Sequence, residues 1–218
     1  MTSKEAYLEF QILMNKNASL RNINIPPEIY VLLYNRESKI HYRKLVKEST
    51  DDVHELSELL VNDEPLSKIG MTQEYVLYNK PINFFNFVSS RSITQRGDCE
   101  SVTVNYLYKP KDLELKYSDS FYVNFDHEES IVGINDYIQI FKKGYDIKQS
   151  FLSYYREIPE IDIVGYFHLD GRPSENKDPN ISDHLVHLIN NWVVLEVMRE
   201  FENGNGINVS KERIMSSL

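Results

Sequence analysis

The sequence predicts an α+β fold in which N-terminal helices and a C-terminal helix form a bundle with an inserted antiparallel β region. Apolar residues recur at helical spacing before residue 65 and after residue 182. Between these positions, short runs rich in aromatic and β-branched residues alternate with Pro, Gly, Asn and Asp, which favours antiparallel hairpins over a parallel sheet. The predicted parts are residues 1–65 of the bundle, the β domain at 66–170, the connector and last helix at 171–204, and a tail at 205–218.

Three helices are predicted in the N-terminal part. Thr2 and Glu5 have the spacing of a capping box and apolar residues follow at helical intervals, so we predict a first helix over residues 3–16. Pro27 suits the first turn of a second helix, because a proline there removes no intrahelical hydrogen bond. A third, shorter helix is predicted from residue 50 or 51 to residue 61.

The β domain is predicted from seven short runs with high β-propensity. These runs are residues 75–77, 84–89, 101–108, 113–117, 121–125, 137–141 and 151–155. The polar residues 91–98 and 126–130 are interpreted as hairpin tips that reach away from the body of the domain.

The last helix is predicted over residues 182–202, with Ser182 as N-cap and Gly204 at the C-cap. Its main apolar stripe is predicted to comprise Leu185, Leu188, Ile189, Trp192, Val193 and Leu195. Apolar residues continue beyond this stripe, which predicts contacts on a second side of the helix with another subunit. The candidate interface residues on the helix and the tail are Trp192, Val194, Val197, Met198, Phe201, Ile207, Val209, Ile214 and Met215.

Composition limits the partners that we expect. The chain has 24 basic and 33 acidic residues and a net charge of −9, which opposes tight binding to a phosphate backbone. No apolar run approaches the roughly 20 residues of a membrane span, so we expect no membrane insertion. Cys99 is the single cysteine and is interpreted as a structural residue. We expect no cofactor and no enzymatic activity, because the sequence has no phosphate-binding loop, HExxH, nucleophile elbow or CxxC.

The nearest approach to a catalytic pattern is formed by Asp112, Glu114 and Lys116. Two acidic residues and a lysine on one strand resemble the metal and base positions of many nucleases. Strand alternation explains the pattern more simply, because Leu113, Leu115 and Tyr117 would point to the opposite face. We favour the second interpretation.

Three further groups of residues have simpler interpretations than a binding site. Asp126, His127, Glu128 and Glu129 are adjacent on one predicted loop, and adjacent ligands seldom converge on a single metal. His184 and His187 lie three apart on the last helix without a predicted third ligand, which favours surface or interface positions. Four tyrosines that could stack on bases are interpreted as wall and interface residues. They are Tyr106, Tyr108, Tyr117 and Tyr122.

Two segments resemble recurring motifs of tailed-phage virion proteins. Residues 70–78 resemble the leucine-proline-x-aspartate-tyrosine segment at which the β region of many such proteins begins, with Met71 and Thr72 where Leu-Pro is usual. Residues 151–161 resemble the strand-Tyr-Arg-x-Pro segment that precedes their terminal helix. With residues 27–35 and the opening helices, the chain resembles a neck or tail ring protein of the crAss-like phages. It is similar in layout to the tail-tube gatekeeper proteins of short-tailed phages.

This resemblance implies a virion structural protein that forms a cyclic, typically dodecameric ring below the portal, with DNA crossing its lumen. The implied partners are further copies of the chain and the neighbouring portal, ring or tail proteins, and DNA is only transiting cargo. The implied location is the neck or tail of the virion, after assembly in the host cytoplasm. We expect helical residues to join neighbouring subunits, and the hairpin tips and tail to reach the next ring.

Two other function classes stay open at this point. One is a metal-dependent nuclease that uses Asp112, Glu114 and Lys116. The other is a cytoplasmic adaptor or scaffold that binds a partner through the last helix and the tail.

Overall fold

The structure, a computed structural model, describes residues 1–17, 24–48, 54–107, 129–168 and 170–202. The chain divides into two compact units. A helical unit combines Met1–Glu58 with Ile158–Leu218, and a β unit comprises Leu59–Glu157. The unit boundaries therefore lie near residues 58 and 157, whereas the sequence analysis divided the chain at 65 and 170.

The helical unit contains the α-helices α1 (Ser3–Asn17), α2 (Pro27–Glu48) and α3 (Asp183–Glu202). The predicted capping box at the start of α1 is confirmed, since Thr2 N donates to Glu5 Oε2 at 2.7 Å and Glu5 N donates to Thr2 Oγ1 at 3.3 Å. Ser182 caps α3 as predicted, because its Oγ accepts a hydrogen bond from Leu185 N at 3.3 Å. Helix α3 contacts both α1 and α2.

The β unit contains eight described strands in a single sheet, ordered β1-β8-β4-β5-β6-β7-β3-β2. All described pairs are antiparallel except β5 and β6, which are parallel. The strands are β1 (Leu60–Pro65), β2 (Lys68–Met71), β3 (Tyr75–Asn79), β4 (Phe84–Arg96), β5 (Cys99–Leu107), β6 (Glu129–Ile134), β7 (Tyr137–Phe141) and β8 (Asp146–Arg156).

The sheet is curled, and a short segment of the chain joins its two edge strands. Strands β1 and β2 lie at opposite edges, yet only Leu66 and Ser67 separate them in the chain. Leu66 N donates to Ser150 O of β8 at 2.9 Å, and Ser67 O accepts from Asn79 N of β3 at 3.0 Å. One bent segment therefore bonds to β8 on one side and to β3 on the other, while β1 and β2 remain the edge strands of the curled sheet, since no described ladder joins them to each other.

An apolar core fills part of the inside of the curled sheet. Strands β3, β6 and β7 contribute paired residues to it, because Val76 pairs with Ile140, which also pairs with Val132, on one face. Strands β6 and β7 also add the adjacent residues Ile131 and Phe141. The buried cluster comprises Val76, Tyr78, Ile131, Val132, Ile138, Ile140, Phe141, Tyr145, Ile147, Leu152 and Tyr154. Burial on this scale supplies the main favourable term in folding of the β unit.

The predicted fold class, a helical bundle with an inserted antiparallel β region, is wrong. The dominant element among the described residues is the eight-stranded mixed sheet, accompanied by three α-helices. The predicted third helix is a short 3-10 helix, His54–Leu59, and the chain enters β1 directly after it. The parallel pairing of β5 and β6 also excludes the purely antiparallel arrangement.

Three described strands were missed because their sequences lack strand alternation. Strand β1 reads Leu-Val-Asn-Asp-Glu-Pro, β2 is four residues long and contains Gly70, and β6 contains Gly133. Each strand is determined by pairing with residues distant in sequence, which local propensity does not capture. The predicted hairpin tip at 91–98 is also wrong, because residues 91–96 continue β4 and the turn contains only Gly97 and Asp98.

Candidate functional site

A buried polar network joins the three helices of the helical unit. Asn190 of α3 is completely buried, and its Nδ2 donates to Ala6 O at 3.0 Å and to Glu9 Oε2 at 2.8 Å, both on α1. Its Oδ1 accepts from Tyr30 Oη of α2 at 2.8 Å. The other oxygen of Glu9 bonds Nδ1 of His187. Burial raises the pKa of Tyr30, so this phenol stays a neutral donor.

Sequence reasoning missed this network, although one signal was present. Asn190 is a polar residue next to Ile189, within the apolar stripe of the last helix. A buried amide needs hydrogen-bond partners, so its position in a buried stripe indicates a specific contact between helices. The network also gives His187 a structural role, because its ring pairs with the carboxylate of Glu9.

The buried face of α3 includes Leu185, Ile189 and Val193 of the predicted stripe, but it differs from the prediction at other positions. Leu195, which was assigned to the main stripe, is 66% exposed. Val194 and Val197, which were assigned to a subunit interface, are 4% and 5% exposed and so already pack inside the described protein. The wide apolar coverage of α3 is therefore explained at these two positions without another subunit.

Trp192 lies at the contact between α2 and α3. Its ring stacks on His41 with centroids 4.1 Å apart and an interplanar angle of 16°. Beside this pair, Arg36 Nη2 donates to Glu196 Oε1 at 2.9 Å. Trp192 is only partly buried, and Met198 likewise. Their role in a contact between subunits stays a prediction.

The remaining candidates for the interface lie outside the residues whose side chains the structure describes. They are Phe201, Ile207, Val209, Ile214 and Met215. The possible nuclease residues Asp112, Glu114 and Lys116 also lie outside the described ranges, as do residues 126–128 and the tyrosines 108, 117 and 122. The predictions made for all of these residues stay untested.

The described candidates for reactive or metal-binding roles are spread apart. Cys99, interpreted from the sequence as a structural residue, is exposed at the start of β5. His184 and His187 lie on the exposed side of α3 near its start. Within the described ranges, no group of three or more His, Cys, Asp or Glu residues is placed to hold a metal ion. Of the described helices, none has the length and apolar composition of a membrane span.

Asp162 organises the irregular loop that follows the sheet. Its buried carboxylate accepts hydrogen bonds from Tyr166 Oη at 2.6 Å, His168 Nε2 at 3.0 Å and Glu175 N at 2.9 Å. Burial by itself would raise the pKa of Asp162, but these bonds hold it below its usual value. The loop so formed presents Phe167, which is 75% exposed.

Strands β4 and β5 invert the usual distribution of polar and apolar residues. In both strands, alternate residues that face the inside of the curled sheet are small and polar. The intervening residues face outward and mix the apolar Ile93, Val102, Val104 and Tyr106 with the polar Arg91, Gln95 and Glu100. A half-buried strand normally has the opposite pattern. The buried polar residues of this inner face, including one from β8, are Ser90, Ser92, Thr94, Thr103, Asn105 and Ser150.

Hydrogen bonds between side chains connect most of the inner face, although Asn105 Oδ1 is buried without a partner among the described residues. Asn105 Nδ2 donates to Ser90 Oγ and to Ser92 Oγ, both at 2.9 Å. The hydroxyls of Ser92 and Ser150 are 2.9 Å apart, and Ser150 Oγ donates to Tyr78 Oη at 2.9 Å. Tyr78 belongs to β3, so the network reaches across the inside of the curled sheet. Such a network fixes the register of β4 and β5.

The outward face of these strands is an apolar surface, which we call the outer strip. Ile93 pairs with Val102 and Arg91 pairs with Val104, so their side chains share this face. Val102, Val104 and Tyr106 are 48%, 47% and 48% exposed. The strip comprises Ile93, Val102, Val104, Tyr106 and, on β8, Phe151.

Within the outer strip, the side chain of Arg91 contacts the ring of Phe151 and the carboxylate of Asp63. Its guanidinium lies 4.7 Å from the centroid of the Phe151 ring, and its Nε and Nη2 contact the two carboxylate oxygens of Asp63 at 3.0 and 3.3 Å. This bond lowers the pKa of Asp63. Asp63 has a φ of 50° next to a bulge in β1, so the ion pair stabilises an uncommon backbone conformation.

Comparison of the chain with protein-family models and with curated proteins finds no match. The candidate functional surface is therefore assigned from its own geometry. Of the features described, the outer strip is the one that places several apolar side chains together in solvent on regular, hydrogen-bonded strands. Its arrangement is suited to contact with protein.

Proposed function

We propose that this chain is a structural component of a tailed-phage virion and forms a cyclic, dodecameric ring in the head-to-tail connector or tail tube. The observation that carries the proposal is the outer strip, an apolar surface on strands whose small polar residues are turned inward. A folded unit that directs apolar side chains to solvent gains stability when protein covers them. A repeated subunit supplies such cover at every interface of a ring.

The resemblance to ring proteins of crAss-like phages supports the virion assignment. Its three segments lie in regular parts of the fold or next to them. Residues 27–35 form the start of α2, residues 70–78 join β2 to β3, and residues 151–161 run from β8 into the loop before Asp162. The partners proposed with this assignment are neighbouring portal, ring or tail proteins.

The net charge is consistent with a channel for DNA. At −9 the chain repels a phosphate backbone, so DNA could pass a lumen formed by several copies without being held there. In this proposal DNA is cargo in transit, and the chain performs no chemistry on it.

The test is the mass of the purified full chain and its presence in virions. Native mass spectrometry and electron microscopy should show closed rings of one size, and proteomics of purified virions should contain the chain. Monomers combined with absence from virions would refute the proposal. Plasmid nicking with Mg²⁺ that is lost in Lys116→Ala would establish the nuclease instead.

A further inference from the structure

We propose that the inner face of the curled sheet binds a water molecule at Asn105 Oδ1. Asn105 lies on β5 and is 3% exposed, so its amide is closed off from bulk solvent. Its nitrogen has two partners, but its oxygen is a buried acceptor to which no described residue donates. A buried polar atom needs a hydrogen-bond partner, and internal water takes that place where protein does not. The inference does not depend on the proposed virion role.

The serine hydroxyls beside Asn105 are not available to its oxygen, because their hydrogens are used in other bonds. Ser90 Oγ donates to the backbone oxygen of Phe151 at 2.9 Å. Ser130, which pairs with Asn105 on β6, donates its hydroxyl hydrogen to the backbone oxygen of Phe141. A serine has a single hydroxyl hydrogen, so both of these donors are already engaged.

The other hydroxyls near the amide form a chain that begins at Asn105. Its Nδ2 donates to Ser92, whose hydroxyl lies 2.9 Å from that of Ser150. Ser150 donates to Tyr78 Oη at 2.9 Å, so Ser92 must be the donor to Ser150. Within the described ranges, the chain therefore has a spare acceptor at Asn105 and a spare hydrogen on the Tyr78 phenol. Burial raises the pKa of Tyr78, which keeps that hydrogen in place.

Reversing the amide of Asn105 does not remove the need for a further partner. The oxygen would then face the hydroxyls of Ser90 and Ser92, and both N–H groups would point to the place where Oδ1 lies. One acceptor without a donor would be replaced by two donors without an acceptor, which is worse in a buried site. In either orientation, the amide has polar atoms that require another polar group.

The surroundings of the amide select water over an ion or a larger ligand. The residues that contact Asn105 or pair with it on this face are Ser90, Ser92 and Ser130, which are short and uncharged. A buried ion would require a charged partner. A larger molecule would require an opening, which an amide that is 3% exposed does not have. Water supplies the donor that Oδ1 lacks, and it can accept the phenol hydrogen of Tyr78 directly or through a second water.

The first test is a crystal structure of the full-length protein at a resolution that shows ordered water. We expect a water about 2.7–3.2 Å from Asn105 Oδ1. Asn190 is the matched control in the same crystals, because it is an equally buried amide whose nitrogen and oxygen have protein partners. It should contact no water. A protein atom bonded to Asn105 Oδ1, or a dry site beside it, would overturn the inference.

Oxygen-17 relaxation of water tests the same site in solution, since it detects the oxygen of a long-lived bound water and is insensitive to exchange of hydroxyl hydrogens. Asn105→Leu, which has nearly the same shape, should reduce the number of long-lived waters by at least one. Tyr78→Phe keeps the amide but removes the phenol hydrogen, so it should shorten the residence time of the water about 10-fold. It provides the test if the leucine variant does not fold.

The control for the solution experiment is Asn191→Leu, an exposed amide on α3. This variant should keep the number of long-lived waters of the wild type. An unchanged number in Asn105→Leu, together with an unchanged residence time in Tyr78→Phe, would overturn the inference.

Discussion

Asn190 shows how one residue determines the arrangement of three helices. Its single amide bonds Ala6 and Glu9 on α1 and Tyr30 on α2, while the rest of the buried face of α3 is apolar and non-directional. Apolar contacts alone allow a helix to slide or rotate by small amounts. A buried amide with partners on two other helices does not, so Asn190 fixes the position of α3.

We therefore expect Asn190→Leu to lower the free energy of unfolding by about 1–3 kcal/mol, because it leaves the buried Tyr30 hydroxyl and Ala6 carbonyl without their partner. Urea denaturation measures the change. The control is Asn191→Leu at the neighbouring, exposed position, which should alter stability by less than about 0.5 kcal/mol. Equal effects of the two substitutions would contradict a specific role for Asn190.

The lowered pKa of Asp162 predicts that the stability of the protein depends on pH. Its pKa is lowered in the folded protein, so the ionised carboxylate stabilises the fold above the pKa of the unfolded chain, about 3.9. That contribution is lost as the pH falls through the folded pKa. Asp162→Asn should therefore reduce the melting temperature at pH 7, and its difference from the wild type should shrink towards pH 3.

Thermal melts at a series of pH values between 7 and 3 check this prediction. Asp136→Asn, in the exposed turn between β6 and β7, serves as the control and should follow the wild type throughout. A difference between Asp162→Asn and the wild type that stays constant over the series would exclude ionisation of Asp162 as the cause.

At the scale of elements, Trp192 links α2 and α3 from a partly exposed position. A buried tryptophan replaced by alanine costs about 3–5 kcal/mol. Because part of the Trp192 ring is in solvent and its main described contact is the stack on His41, we expect Trp192→Ala to cost about 1–2 kcal/mol. Chemical denaturation provides the value, with Leu195→Ala as an exposed control. A loss above 3 kcal/mol would indicate a core position.

The turn between β4 and β5 depends on a glycine. Gly97 has a φ of 61°, in the left-handed region, and an added Cβ would meet no atom within 4 Å. The cost of Gly97→Ala is therefore conformational and should be about 1 kcal/mol. Gly97→Asn should cost less, because asparagine adopts this conformation more readily. Denaturation of both variants tests the order, and an alanine variant as stable as the asparagine variant would contradict it.

The ends of the helices could be predicted from the sequence, whereas the face that each helix or strand buries could not. The Thr2 and Ser182 caps depend on residues three apart, so local chemistry is sufficient. The buried face of α3 depends on where α1 and α2 contact it, and the prediction for Leu195 failed for that reason. The outer strip was missed because alternation in β5 shows that two faces differ, but not which face is inside.

At the scale of the whole molecule, the fold class failed because strand pairing is not local. Residues 60–71 lack the alternation of a half-buried strand, and they form β1 and β2 only because β8 and β3 lie on either side. The curled sheet thus includes segments that the sequence analysis assigned to a helix and a loop. The long, regular elements were predictable, and the segments that complete the sheet were not.

The net charge predicts how association responds to salt. If copies meet through a nearly neutral apolar strip, their remaining acidic surfaces repel and weaken the complex. Raising NaCl from about 50 to 500 mM shortens the range of this repulsion, so association should strengthen. Sedimentation at each salt concentration measures it. Weaker association at high salt would instead indicate a contact made by opposite charges.

The position of β1 has a consequence for synthesis on the ribosome. Leu60 pairs with Tyr155, which is translated about 95 residues later, a delay on the order of 5–20 s at about 5–20 residues per second. During that delay the strand is available to other nascent chains. Asp63, Glu64 and Pro65 oppose such pairing through charge and a missing backbone donor. Asp63, Glu64 and Pro65 make β1 difficult to recognise as a strand from the sequence, and the same residues oppose aggregation of the unfinished chain.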